Sequence, residues 1–372
     1  MQERVFFAPG RVEIGGNHTD HQRGRVLAAA VDMGTVCTAA INGTGIVRLA
    51  SDGFGETVVD LADLSPHGDE KGATAALIRG VAAWFSNNGY PFGGFDGHVA
   101  SEVPVGMGLS SSAVFEVLIG NVFKGLFGAD ISKLEIALAG QFAENVYFGK
   151  PCGLMDQVAC SLGGMSLIDF CYPQKPVVTP IRASIKGYAL CVAAAGGSHE
   201  DLTEEYASIP AEMGVIASHF GKGYLRSVDS KEFYASIGEL RKLGDRAILR
   251  AMHFFDENER VATQASALEV GDIPEFLRLV SESGRSSLGY LQNIYSLSDP
   301  SHQGLTLALA LCERILSGDG AFRVHGGGFA GTVLAFVPDR LIDSFDEQMS
   351  GVFGSGCCHF LRIRHEGGCE IL

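Results

Sequence analysis

The sequence predicts an α+β fold in two domains. Three observations carry that reading. A chain of 372 residues, 46% hydrophobic, exceeds the usual span of one core and has the apolar content for two. The first half alternates strand-like runs with helical periodicity. The second half is mostly helical and closes on a Gly-rich loop followed by an apolar strand, which suggests a second α+β unit packed on the first. The domains are placed at 1–180 and 181–372.

The elements justify this in order. Val5-Phe6-Phe7-Ala8-Pro9-Gly10 is a strand entering a turn. Arg11-Val12-Glu13-Ile14-Gly15-Gly16-Asn17-His18-Thr19-Asp20-His21 then packs polar groups and paired glycines ahead of an apolar run at 26–31. Its carboxylates, amide and imidazoles suit hydrogen bonding to a polyhydroxylated ligand. A solvated turn is the plain alternative. A metal site of His18, Asp20 and His21 is the weakest, because neighbouring loop residues point in different directions. A helix over 74–87 places Leu77, Val81 and Phe85 on one face and ends at Asn87-Asn88-Gly89.

A strand over 95–103 leads to the stretch that organises the chain: Val103-Pro104-Val105-Gly106-Met107-Gly108-Leu109-Ser110-Ser111-Ser112-Ala113. Phe115, Leu118, Ile119, Val122, Phe123 and Leu126 follow at helical spacing, so the glycines and serines sit at a helix N-terminus. Unpaired N–H groups and the helix dipole favour an anion there, typically phosphate. A Ser-rich helix cap is the plain reading. There is no G-x-x-x-x-G-K-[ST], and Ser111 stands where a third dinucleotide-binding glycine would be.

A helix over 132–148 carries Glu144 near its end. In Cys152-Gly153-Leu154-Met155-Asp156-Gln157, Asp156 lies among apolar residues, where a carboxylate is paired, is placed for chemistry, or caps a short helix. Strands are expected at 165–168 and 188–192, and helices at 203–219, 230–252, 257–268 and 273–288. His199 and Tyr206 mark the entry to the second half. Four glycines in Gly326-Gly327-Gly328-Phe329-Ala330-Gly331 exclude a helix and suit a tight loop whose backbone touches a ligand.

Composition narrows the function. The net charge of −15 argues against nucleic-acid and membrane-surface roles. No apolar run nears the roughly 18 residues of a membrane span, and the start lacks a signal-peptide layout. Nine scattered cysteines without a C-x-x-C fit reduced thiols in a cytoplasmic protein.

Four of these stretches, in this order, resemble the galactokinase–homoserine kinase–mevalonate kinase–phosphomevalonate kinase (GHMP) superfamily, and the galactokinases most. Gly10-Arg11-Val12 with Gly16-Asn17-His18-Thr19-Asp20 resembles their sugar signature, and 104–113 resembles the family phosphate loop. Ala143-Glu144 with Pro151-Cys152-Gly153-Leu154-Met155-Asp156-Gln157 resembles the metal and catalytic-Asp segment. Gly326 to Gly331 resembles the third family motif. The resemblance implies an N-terminal mixed sheet with helices, a ferredoxin-like C-terminal domain whose last strand can return to the first domain, and an active site in the cleft. It implies an ATP- and Mg²⁺-dependent sugar 1-kinase, working as a monomer, that makes galactose 1-phosphate and ADP. Asp156 would take or orient the proton of the C1 hydroxyl, with Arg11 beside it. Gly106, Gly108, Leu109, Ser110, Ser111 and Ser112 would cradle ATP. Ser112 and Glu144 would hold Mg²⁺. Asn17, His18, Asp20, Gly153 and Tyr206 would contact the sugar.

The chain departs from the pattern in places. Galactokinases usually carry Asn-[Leu/Ile/Val]-Ile-Gly-Glu-His-x-Asp-Tyr, where this chain has Glu13, Asn17 and His21. The family Glu bonds the C6 hydroxyl of galactose, so Asn17 also admits a galacturonokinase. The family's Ser-His-x-Ser-Leu appears within Ser283-Gly284-Arg285-Ser286-Ser287-Leu288. A non-catalytic sugar and ATP sensor is the third alternative, disfavoured by the intact Ser110-Ser111-Ser112-Ala113, and a dehydrogenase by the missing dinucleotide fingerprint.

Overall fold

The structure, a computed structural model, describes residues 2–371 apart from 54, 105, 151, 197–201 and 330. His199, singled out above, lies outside the described residues. The first half supplies β1 (Arg4–Gly15), β2 (Arg25–Ile41), β3 (Ile46–Ser51), β4 (Gly55–Asp60), α1 (Thr74–Asn87), β5 (Phe95–Ser101), α2 (Ser111–Phe127), α3 (Lys133–Phe142), α4 (Met155–Leu162), β6 (Met165–Asp169) and β7 (Val177–Ile181). The second half supplies β8 (Tyr188–Ala194), α5 (Thr203–His219), α6 (Ser230–Ala235), α7 (Ile237–Leu240), α8 (Asp245–Val270), α9 (Ile273–Ser286), α10 (Gly304–Leu316), β9 (Ala321–His325), β10 (Thr332–Pro338), α11 (Ile342–Phe353), β11 (Cys358–Leu361) and β12 (Cys369–Glu370).

The larger sheet runs β12-β1-β2-β5-β3-β4, with β6 joining β2 and β7 joining β6. It is mixed, because β3 lies parallel to β5 while its other pairings are antiparallel. The long β2 holds β6 along its first residues and β5 along its last. The smaller sheet is antiparallel, in the order β11-β8-β10-β9, with α10 and α11 packed on it. This is the α+β, ferredoxin-like second lobe. The chain's last strand crosses back: Phe6 and Phe7 of β1 pair with Glu370 and Cys369.

Aromatic packing holds the first lobe. Phe85, Phe95 and Phe123 are fully buried, with ring centroids 5.5–5.7 Å apart around Phe123. Burying each such ring stabilises the fold by about 1.5–3 kcal/mol. The same cluster continues into the second lobe through Phe276 and Phe336.

Two helix boundaries differ from the sequence reading. The helix expected over 230–252 is divided, since Gly244 takes φ +109 and stops the chain before α8. No break follows at 253–256, because Ile248, Ala251, Phe254, Val261, Ala265 and Leu268 keep one buried stripe along 26 residues. The hairpin of β3 and β4 was not anticipated, although Asp52-Gly53 between two short apolar runs is a hairpin signal and Gly53 takes φ +80.

Candidate active site

Arg11 lies on β1 next to a register shift between Pro9 and Arg11, where the strand bends. Its Nε and Nη2 donate to Asp156 Oδ1 and Oδ2, each at 2.7 Å, and Nη1 donates to the Gly108 carbonyl. Asp156 occupies the first turn of α4, but it does not cap the helix. It takes this two-pronged guanidinium and the Ser110 hydroxyl instead. Burial pushes the Asp156 carboxyl up, but Arg11 and Ser110 outweigh it and hold the group below the usual carboxylate range. Arg11 thus stays charged and Asp156 stays ionised.

The Gly/Ser stretch turns tightly into α2. Ser110 takes φ +60 at the N-cap and makes no side-chain cap bond. Its hydroxyl goes to Asp156 and that of Ser112 goes to Glu144, so the plain cap reading fails and the first N–H groups of α2 keep their capacity for an anion. Gly108, at φ +69, is a required glycine: a Cβ there would come within 2.7 Å of Thr332 Oγ1 and 2.9 Å of His325 Nδ1. Gly106, at φ +84, borders open space. Leu109 is buried, and its carbonyl accepts from the Arg11 N–H at 3.3 Å. Ser111 opens α2 on the exposed side.

Glu144 sits where α3 widens into a π-type turn, a deformation common at functional sites. It is buried. Its Oε1 accepts from Ser112 Oγ at 2.9 Å and lies 3.5 Å from the exposed Lys150 ammonium. Its Oε2 accepts from Gln157 Nε2 at 2.9 Å. Among the described residues no group of three or more His, Cys, Asp or Glu could hold a metal. A hydroxyl and one carboxylate oxygen beside a turn whose helix N–H groups can take an anion instead suit Mg²⁺, which takes one or two protein oxygens and completes its shell with phosphates and water. The Lys150 ammonium shows that this edge of Glu144 accepts a cation.

The sugar-signature cluster gathers nearby. His18 donates through Nε2 to the Gly327 carbonyl at 3.0 Å, which leaves Nδ1 as a buried acceptor without a partner. Its ring centroid is 5.9 Å from that of Tyr206, which packs on Phe329 at 5.7 Å. Asp20 lies against Gly153, where a Cβ would meet Asp20 Oδ2 at 1.9 Å, so a larger residue would displace the Asp20 carboxylate. Gly327 makes the same room for Tyr206.

Asn17 is the exception. It was expected to meet the ligand, but its amide is spent on the protein. Nδ2 donates to Glu13 Oε1 at 3.0 Å and to the Gly326 carbonyl at 2.7 Å. Oδ1 accepts from Asn293 Nδ2 at 2.8 Å and Ser287 Oγ at 3.3 Å. That uses both donors and both acceptor positions of the group. Asn17→Glu is therefore expected to destabilise the fold by about 3 kcal/mol, because it sets a carboxylate against Glu13 and a carbonyl. Chemical denaturation checks this; an unchanged midpoint would return Asn17 to the ligand side.

Several residues of this seam were not singled out from sequence. Arg323 Nη2 donates to Glu13 Oε1 at 2.7 Å, and His325 Nε2 accepts from the Glu13 N–H at 3.1 Å. On α8, His253 pairs with the Asn17 carbonyl at 2.9 Å and Ser286 Oγ at 2.8 Å. Glu257 accepts from the Gly16 N–H at 2.9 Å and Ser283 Oγ at 2.6 Å. The spacing of His253 and Glu257, four residues apart on one face of α8 with Arg250 and Gln264, was the available signal.

Burial lowers His18 to about 3, helped by the neighbouring His21, and it also lowers His253 and His325. These rings are neutral in the fold and protonate once unfolded, so between the two pKa values the unfolded state binds more protons and stability falls as pH falls. For His18 alone, moving from pH 7 to pH 5 costs about 2 kcal/mol. Melting curves across that interval are expected to show a falling midpoint; a flat one would mean the rings titrate in the fold.

Comparison with known proteins adds the following. A model of the GHMP kinases N terminal domain matches residues 76–164, and one of the galactokinase galactose-binding signature matches 1–41. A galactokinase of Glaesserella parasuis serovar 5 (strain SH0165) is 32% identical over 347 residues, covering 92% of this chain and 87% of the relative. One of Actinobacillus pleuropneumoniae is 31% identical over 342 residues, covering 91% and 86%. The crystal structure of Lactococcus lactis galactokinase complexed with galactose superposes with a TM-score of 0.86 at 24% identity, covering 100% of this chain and 95% of that one. A mevalonate kinase structure gives 0.67 at 15% identity, covering 97% and 99%.

Proposed function

We infer the reaction from one premise: this chain belongs to the galactokinase family of GHMP kinases. It is a phosphotransferase that moves the γ-phosphoryl group of ATP to the anomeric hydroxyl of galactose, giving galactose 1-phosphate and ADP. Among the described residues no helix is long and apolar enough to cross a membrane. The division near residue 180, a monomeric state and a cytoplasmic setting belong to the same reading.

The observation that carries the mechanism is the Arg11–Asp156 pair beside the phosphate turn. Phosphoryl transfer needs positioning and charge neutralisation more than covalent chemistry. Asp156 orients the C1 hydroxyl and takes its proton. Held at low basicity by Arg11, it receives that proton late, as the new P–O bond acidifies the hydroxyl. Arg11 faces the transferring group with its remaining charge. Gly106, Gly108 and the N–H groups opening α2 cradle the phosphates. Ser112 and Glu144 would hold Mg²⁺, which would supply charge neutralisation for the transfer. His18 Nδ1 accepts from a sugar hydroxyl, and Asp20, Gly153 and Tyr206 shape the rest of the sugar site.

Asn17 bonds the protein rather than C6, so it gives no reason to prefer a C6 carboxylate, and galacturonate is not favoured. A coupled ADP-release assay with ATP and Mg²⁺ tests this. Turnover on galactose well above that on galacturonate, N-acetylgalactosamine, arabinose and glucose is expected. Galacturonate as the best substrate, or silence on every sugar from folded protein that binds ATP, would overturn it.

A further inference from the structure

Gln157 and Glu116 are both fully buried beside the site, and no step above uses them. The Gln157 side-chain nitrogen has two hydrogens. They go to Glu144 Oε2 at 2.9 Å and Glu116 Oε2 at 3.0 Å, with the Cys152 sulfur a longer contact at 3.6 Å. That nitrogen thereby ties α4 to α2 and to the turn that ends α3. These same three segments carry Asp156, Ser112 and Glu144. On α3, Gly140 leaves room for the clasp: a Cβ there would stand 3.0 Å from Glu116 Oε2 and 3.1 Å from Gln157 Cγ.

We propose that Gln157, braced by Glu116, is a positioning residue that fixes the Glu144 carboxylate toward the cation and in register with Asp156. The two oxygens of Glu144 divide the work. Oε2 is held from inside by Gln157, while Oε1 faces Ser112 and Lys150 on the open side. Without the inner bond the carboxylate is free to rotate away from Ser112. Asp156 and Gln157 are neighbours on α4, so a shift of that helix moves the candidate base and the cation ligand together. The clasp is not one that stability alone would select: Oε1 of Gln157 and Oε1 of Glu116 are buried with no partner, which is costly. Burial, with Glu144 close by, pushes the Glu116 carboxyl well above the usual range.

This inference rests on the reading of Glu144 as a cation ligand, and the test separates the two. Mn²⁺ is titrated into the full-length protein holding ADP, with free Mn²⁺ read by electron paramagnetic resonance and galactose affinity measured in parallel. Gln157→Met, which keeps the volume, is expected to weaken Mn²⁺ binding about 10- to 100-fold, the usual effect of losing an outer partner of a metal ligand, while galactose affinity changes less than about threefold. Glu116→Leu is expected to weaken Mn²⁺ binding in the same direction. Glu116→Gln, which restores an acceptor, is expected to recover most of the loss. Should Gln157→Met fail to fold, the Glu116 pair decides alone. Native Mn²⁺ affinity in folded Gln157→Met or Glu116→Leu, with Glu144→Ala impaired, would overturn the positioning role. Native affinity in Glu144→Ala would overturn the cation reading itself. Equal loss of Mn²⁺ and galactose binding would mean the clasp only supports the fold.

Discussion

Asp156→Ala is expected to bind ATP within about threefold of the native protein and to lower kcat by about 1,000-fold, or about 4 kcal/mol, the usual contribution of a positioned acid–base group. The carboxylate lies at the meeting point of β1, the Gly/Ser turn and α4, and both of its oxygens are engaged by Arg11. The phosphate contacts proposed above come from backbone N–H groups of the Gly/Ser turn and of α2, which the substitution leaves in place, so nucleotide affinity is expected to survive. The substitution also leaves the buried Arg11 guanidinium, among the described residues, with the Gly108 carbonyl alone. Asp156→Asn, which keeps the shape, serves as a second variant in case the alanine protein is too unstable to assay. Near-native kcat in either one would remove Asp156 from the reaction.

Arg11→Met is expected to cost more. An arginine facing a transferring phosphoryl group accounts for about 10³–10⁵ in kcat, and its loss also frees Asp156. Asp156 is depressed in the fold, so its pairing contributes stability above the ordinary Asp pKa, and that contribution is lost as pH falls through the lower folded value. Without Arg11 the burial effect dominates and the carboxyl rises. The residual activity of Arg11→Met should therefore fall away on acidification at a higher pH than in the native protein. Steady-state rates from pH 8 to pH 5 test this. A residual profile that overlays the native one would show that Arg11 does not set the Asp156 charge.

Much of the site was legible because its residue types are conspicuous in sequence. Gly106 and Gly108 with three serines announce a backbone turn, and Asp156 in apolar company announces a partner, which proves to be Arg11. What sequence hid was long-range pairing. That Ser110 serves Asp156 follows only once α2 and α4 meet. The bonding of Asn17 was hidden for the same reason at three of its four partners. Its neighbours in sequence suggest a ligand loop, but its four partners come from positions 13, 287, 293 and 326. Arg323, His253 and Glu257 were lost in stretches that look like ordinary strand and helix. The fold was readable where periodicity was strong, as over 74–87. It was less so around 244–257, where Gly244 and a continuous buried stripe, rather than local polarity, set the boundaries.

The central claim is that the site around Asp156 and Arg11 transfers the γ-phosphoryl group of ATP to the anomeric hydroxyl, with ADP leaving. The most direct measurement compares ADP formation on galactose and on 1-deoxygalactose, which lacks that hydroxyl, with the product identified by phosphorus NMR. The expected result is turnover on galactose, phosphorus coupled to the C1 proton, and no turnover on the deoxy sugar. Comparable turnover on 1-deoxygalactose, or phosphorus at C6, would contradict it.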